Sequence, residues 1–122
     1  MNSKIDESFV KCKDTTPKNF TYLWIKKLIL QAADDIKIVK VILFGSRARG
    51  DYNKYSDWDI LVVVKDKKNI KEKQKLAKSI RTILARFLID CDVIVKSEKE
   101  LDYYKNFIGS ITKEALKEGI KL

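Results

Sequence analysis

The sequence predicts a small α/β protein: a mixed sheet of at least three strands with helices packed mainly on one face. Three observations carry this. Two apolar β-type runs, residues 41–44 and 60–64, flank a polar, turn-rich segment. A third such run, residues 89–95, follows a stretch of helical periodicity. Further helical stripes precede the first run and follow the last. A chain of 122 residues that is 45% hydrophobic has the length and apolar content of one domain.

Taken in order, residues 1–14 show no clear periodicity and read as a lead-in. Thr16 before Pro17 has the form of an N-cap and a first helical position. Phe20, Leu23, Trp24, Leu28 and Ala32 then recur at helical spacing, with Ile25 and Ile29 widening the stripe. A helix is expected over about residues 17–35, with Phe20 and Trp24 in the core. Residues 38–44 form the first strand, apolar on both faces near its end as a buried central strand should be. Residues 47–56 begin as a short helix and finish as a loop, with Gly50 at the tight turn. Residues 57–64 form the second strand.

Asn69 with Glu72 three positions on is a capping-box pattern. The helix it opens carries Leu76, Ala77, Ile80, Ile83, Leu84, Phe87 and Leu88 on one side and Lys71, Lys73, Lys75, Lys78 and Arg81 on the other. Residues 89–95 make the third strand. Ser97 with Glu100 repeats the capping-box pattern. It starts a helix whose apolar side holds Tyr103, Tyr104, Phe107 and Ile108. Gly109 and Ser110 interrupt it before a last helix over residues 111–117, which ends at Gly119. The C-terminal helices thus occupy about residues 98–118, and residues 120–122 add a short edge strand or dock on the core.

The chemistry gathers between the first two strands, in VILFGSRARGDYNKYSDWDILVVV. Gly45 lets backbone come close to a ligand, and Ser46 offers a hydroxyl and an N–H. A helix beginning just after Ser46 would aim free N–H groups at an anion. Asp57 and Asp59 are two residues apart, so on a strand their carboxylates share a side. With no lysine between them they repel unless a cation sits there. Mg²⁺ suits such a place, since it takes one or two carboxylates plus substrate phosphates. Arg47 and Arg49 pair either with phosphates or with Asp51 and other surface acids. Tyr52 and Tyr55 either frame a nucleotide base or pack the loop. A phosphate cradle beside a carboxylate pair is what phosphoryl or nucleotidyl transfer needs.

Composition removes other chemistries. The chain has no histidine, which excludes Ser-His and Cys-His triads, histidine-bound zinc and HExxH hydrolases. Its two cysteines, Cys12 and Cys91, lie in unlike contexts and read as reduced thiols. The net charge of +9 reads as a lysine-rich solvated surface that also steers a nucleoside triphosphate. Direct nucleic-acid binding is the less favoured reading, because the lysine row lacks interleaved aromatics. No apolar stretch approaches the ~20 residues of a membrane span, and the N-terminus has no signal-peptide core, so a cytoplasmic protein is expected.

Gly45-Ser46, ten residues, then Asp57-x-Asp59 resembles the signature of the DNA polymerase β-type nucleotidyltransferases. The surrounding LFGSRARG and SDWDILV resemble their smallest members, the minimal nucleotidyltransferases (MNT). The resemblance spans about residues 39–95. Trp58 is an unusual filler at a position that points away from the metal side. The resemblance implies a polymerase β-type palm, with a motif core over about residues 38–96 of a single domain covering 1–122. It also implies a third strand bringing a third carboxylate; Asp92 before Val93-Ile94-Val95 fits that pattern and Asp90 does not.

The site so implied has Asp57, Asp59 and Asp92 as catalytic residues and ligands of two Mg²⁺ ions. Gly45, Ser46, Arg47 and Arg49 attend the phosphates of ATP. Since the chain is little more than the palm, a partner protein completes the site or is the substrate. The resemblance names that partner as an all-helical HEPN ribonuclease toxin in a hetero-oligomer. The MNT protein is its antitoxin, transferring AMP from ATP to a tyrosine of the toxin. The alternatives are transfer to an aminoglycoside-like small molecule with a separate acceptor-binding subunit, and a non-catalytic antitoxin that only docks.

Overall fold

A computed structural model describes residues 20–107 and 109–122. The expected lead-in, the cap at Thr16 and Pro17, Cys12 and Ile108 lie outside these residues. The described elements are helix α1 (Phe20–Ala33), strand β1 (Ile38–Phe44), the one-turn helix α2 (Ser46–Arg49), β2 (Trp58–Val64), α3 (Ile70–Ala85), β3 (Cys91–Ser97), α4 (Glu98–Tyr104), α5 (Ile111–Glu118) and β4 (Ile120–Lys121). The strands lie in the order β3-β2-β1-β4. β1 is antiparallel to both β2 and β4, and β2 is parallel to β3, so the sheet is mixed as expected.

Strand composition explains the layering. β2 is an almost continuous aliphatic run, and Ile60 to Val64 are fully buried, which requires cover on both faces. On one face α1 and α3 pack Ile25, Ile29, Leu76, Ile80 and Leu84 against Val41, Leu43, Ile60, Val62 and Val64. On the other, the short helices α4 and α5 contribute Leu101 and Ala115 against Ile42, Leu61 and Val63. The two long helices therefore share one face, and the short pair caps the second. Both capping boxes form: the Asn69 side chain accepts the N–H of Glu72, and Ser97 that of Glu100, with each glutamate reaching back to its cap. The C-terminal tail meets both expectations, since β4 adds an edge to β1 and Leu122 is buried.

Some expectations are corrected. The buried face of α1 is Ile25, Leu28, Ile29 and Ala33; Phe20 is 81% exposed, and Leu23 and Trp24 also face out. The helix is apolar nearly all round, so spacing alone admitted two stripes, and contact with the sheet and α3 selects the aliphatic one. Trp24 instead packs edge-on against Phe87 at 4.8 Å on the surface. Phe87 and Leu88 also leave the core, because α3 ends at Ala85. The third strand starts at Cys91 and not at residue 89: Leu88 holds φ 60, a left-handed turn that redirects the chain first. On α4 it is Leu101 that is buried, while Tyr103 and Phe107 are largely exposed.

Candidate active site

The register of the central strands builds the site. β1 ends at Phe44 opposite Asp59, so Gly45 leaves the sheet beside that carboxylate. Asp59 in turn pairs with Asp92 on β3. Two aspartates 33 positions apart in sequence therefore emerge side by side at one end of the sheet. β2 starts at Trp58, one position later than expected, so Asp57 lies just before the strand; it is exposed, as is Asp92.

Gly45 has φ 75, and a Cβ built on it would overlap the carboxylate of Asp59. Glycine is thus required twice here, by backbone conformation and by the closeness of the aspartate. Gly45 caps α2, and its carbonyl accepts the N–H groups of Ala48 and Arg49. Ser46 is the first helical residue and not the cap, so a purely capping role for its hydroxyl does not fit the geometry. Gly50 closes the turn with φ 92 and donates its N–H to the Ser46 carbonyl.

Electrostatics tie the three aspartates together. The Asp59 carboxyl is pushed above the usual carboxylate range, first by burial and then by the charges of Asp92 and Asp57; Arg49 opposes the shift without cancelling it. Asp59 thus feels both neighbours. The side chains do not converge further: among the described residues no group of three or more His, Cys, Asp or Glu is gathered closely enough to hold a metal ion. The donor set, all carboxylate oxygen and partly exposed, fits Mg²⁺ completed by phosphate oxygens. The adjacent Cys91 is a free thiol raised to about 11, chiefly by burial, with Arg81 pulling the other way; it is an unreactive packing residue.

The two arginines have protein partners. Arg47 lies over the rings of Tyr52 and Trp58, 4.4 and 4.6 Å from their centroids. It also donates to the carbonyl of Ser56 from Nε at 3.2 Å and Nη2 at 3.1 Å, and to that of Asn53 at 3.3 Å. It therefore staples the loop that delivers Asp57. Arg49 bonds Asp51 at 3.2 Å and Glu118 on α5 at 3.1 Å, the surface-acid pairing that was one of its two expected roles. Tyr55 is 81% exposed beside Lys54, and Tyr52 is engaged by Arg47.

Two contributors escaped sequence reasoning. Trp58 does point away from the carboxylates, but it serves as the platform for Arg47 and meets Tyr22 of α1 edge-on at 6.2 Å. Asn53 turns the loop by accepting the N–H of Tyr55 at 2.7 Å. An Asn between loop residues was the available signal for the second; nothing in the sequence pairs Arg47 with Trp58.

With this geometry in view, residues 25–122 match the nucleotidyltransferase domain family. A protein of Methanocaldococcus jannaschii, MJ0141, provisionally named a protein adenylyltransferase, is 37% identical over 86 residues, covering 70% of this chain and 80% of that protein. A crystal structure of a toxin–antitoxin with AMP-PNP has a similar fold, with TM-score 0.52 and 21% identity over 79% of this chain and 70% of the other. A mutant MntA–HpeT toxin–antitoxin gives TM-score 0.56 at 21% identity, covering 83% and 70%. A protein provisionally assigned as a minimal nucleotidyltransferase gives TM-score 0.56 at 21% identity, covering 84% and 94%. At that identity the likeness to these structures is one of fold. No helix among the described residues is long and apolar enough to cross a membrane.

Proposed function

The chain belongs to the nucleotidyltransferase domain family, and from that premise we propose that it transfers AMP from ATP to a tyrosine hydroxyl of a HEPN-type helical toxin, acting as that toxin's antitoxin in the cytoplasm. The observation that carries the reading is the register that sets Asp59 beside Asp92, with Gly45 pressed against Asp59. The provisional name of the M. jannaschii relative supports a protein acceptor. The antitoxin role rests on the sequence resemblance to minimal nucleotidyltransferases.

On this reading the whole chain acts as a single nucleotidyltransferase domain, with the motif core over residues 38–96. Asp57, Asp59 and Asp92 would hold Mg²⁺, which when bound supplies neutralising charge for the triphosphate and lowers the pKa of the acceptor hydroxyl. Gly45 and the Ser46 hydroxyl and N–H bind the pyrophosphate end. Arg47 holds the loop that delivers Asp57. Arg49 exchanges Asp51 for a phosphate when the nucleotide arrives. Asp92, exposed at the strand end, takes the proton of the tyrosine hydroxyl. The phenolic oxygen bonds to the α-phosphorus, the bond from that phosphorus to the bridging oxygen breaks, and pyrophosphate leaves. The products are a tyrosine–AMP phosphodiester, pyrophosphate and the proton carried by Asp92.

The test incubates the protein with the product of the neighbouring reading frame, ATP and Mg²⁺, and reads intact mass. A gain of one or more AMP units on the neighbour, absent with Asp92→Ala, is the expected result. A neighbour that is never modified yet is neutralised equally by Asp92→Ala would replace transfer with docking alone.

A further inference from the structure

Resting on the proposed transfer to a protein, we propose that the acceptor is recognised as an extended, acidic segment that pairs along the outer edge of β3 and so brings its hydroxyl to Asp92. The two edges of the sheet differ. β4 is two residues long, whereas β3 is seven, and among the described residues β3 has β2 as its one sheet neighbour. An edge strand of that length presents a row of backbone donors and acceptors to an incoming strand. Between Cys91 and Ser97 there is no proline and no bulge to blunt the edge, and the strand's one lysine, Lys96, lies near its far end from Asp92.

A groove of about 310 Å³ runs along this edge. α3 lines it with Lys73, Gln74 and Arg81, and β3 lines it with Val93, Ile94 and Val95. Val93 and Val95 point to the α3 face of the sheet and Ile94 to the other, so the groove reaches the strand's backbone edge as well as one face. The half-buried Val93 and Ile94 give the segment apolar contacts along its length.

Charge selects the occupant. Among the described residues, the cations that border the groove are Lys73 and Arg81. Lys73 is joined to Glu100 at 2.7 Å, which leaves Arg81 as the cation facing a ligand nearest the start of β3. Acidic side chains on the segment would meet these groups. The strand also supplies the address. At about 3.3 Å per residue, Val95 stands roughly 10 Å along β3 from Asp92. A segment paired from Val95 towards Asp92 therefore arrives at the carboxylates within three or four residues.

The test uses the intact protein, the neighbouring gene product as acceptor, Mg²⁺ and ATP. Arg81→Glu alters an exposed side chain outside the catalytic groups. The expected result is a rise of tenfold or more in KM for the acceptor, with KM for ATP and kcat at saturating acceptor unchanged. Hydrogen exchange adds a second measurement: the acceptor should slow exchange across residues 93–97 in the wild type. Transfer by the wild type, with Arg81→Glu kinetically identical and no slowing in β3, overturns the edge inference and leaves adenylylation standing. A wild type that binds Mg·ATP but modifies no protein overturns both. Dimerisation of the isolated protein that protects β3 and is abolished by Arg81→Glu would assign the edge to a second copy and overturn the acceptor assignment.

Discussion

The three aspartates and the two arginines of α2 serve one end of the sheet, yet the fold treats them oppositely. Arg47 is satisfied by two carbonyls and two rings, and Arg49 by two carboxylates. Strand register sets Asp59 beside Asp92, and Asp57 stands just before β2 with no lysine among the three; burial, then the charges of Asp92 and Asp57, raise the Asp59 pKa against the pull of Arg49. The basic groups build the loop, and on the proposed reading the acidic groups serve a cation-bound triphosphate. A residue whose needs the fold meets is structural first; a charge held beside like charge and left uncompensated is the better mark of a site.

Changes to the acidic group should have the largest effects on transfer. Asp92→Ala is expected to slow AMP transfer by ~10²–10⁴-fold, the range of a lost general base, while Mg·ATP binding measured by calorimetry persists. Asp90→Ala should leave both nearly unchanged, since Asp90 precedes the strand and its carbonyl accepts from Trp58. Equal losses in the two variants would break the distinction that register draws between them.

Ser46→Ala comes next. Losing one preorganised donor should slow transfer by ~10²-fold. Because Gly45 and not Ser46 caps α2, the melting temperature should scarcely move. A marked drop in stability with full activity would return Ser46 to the structural class.

For the arginines the order reverses, with stability moving more than chemistry. Arg47→Ala should cost about 1–2 kcal/mol in denaturant unfolding, from two ring contacts and a staple of carbonyl bonds. Arg47→Lys should recover little of this, since an ammonium can neither stack on both rings nor fork across carbonyls. Arg49→Ala should move the unfolding midpoint less than Arg47→Ala does, because its ion pairs are exposed. Arg47→Ala protein that is fully stable but unable to bind ATP would mean that its guanidinium serves phosphate instead.

Much of this was legible in sequence because it is periodic or local. The strands are aliphatic runs cut by glycine, both capping boxes are four-residue patterns, and Gly45-Ser46 with Asp57-x-Asp59 is a spacing. The place of Asp92 beside Asp59 was implied by the family resemblance, whose pattern has a carboxylate before an aliphatic triplet. What sequence left open depends on tertiary partners. α1 offered two apolar stripes, and only packing against the sheet and α3 chose Ile25 and Ile29 over Phe20 and Trp24. Arg47 had two eligible chemistries, and its pairing with Trp58 exists only once the loop closes. Leu88 at φ 60 is a backbone choice usually marked by glycine, so the late start of β3 carried no sequence signal.

The smallest expected effect is the most diagnostic in sign. Asp59 favours its protonated form in the folded protein, so metal-free stability should fall as pH rises from the ordinary carboxylate range through its raised pKa. Asp59→Asn removes that fall and relieves a like-charged cross-strand pair, a gain of about 0.2–1 kcal/mol. Thermal unfolding of both proteins at neutral pH, without metal and then with Mg·ATP, measures the two sides together. Without metal, Asp59→Asn should be the more stable protein. With Mg·ATP at 100 times the wild-type Kd the wild type should gain about 2.7 kcal/mol and become the more stable, while Asp59→Asn gains far less. An Asp59→Asn protein that is less stable without metal, or that gains as much from Mg·ATP as the wild type, would contradict the claim that these aspartates are left uncompensated for a cation-bound triphosphate.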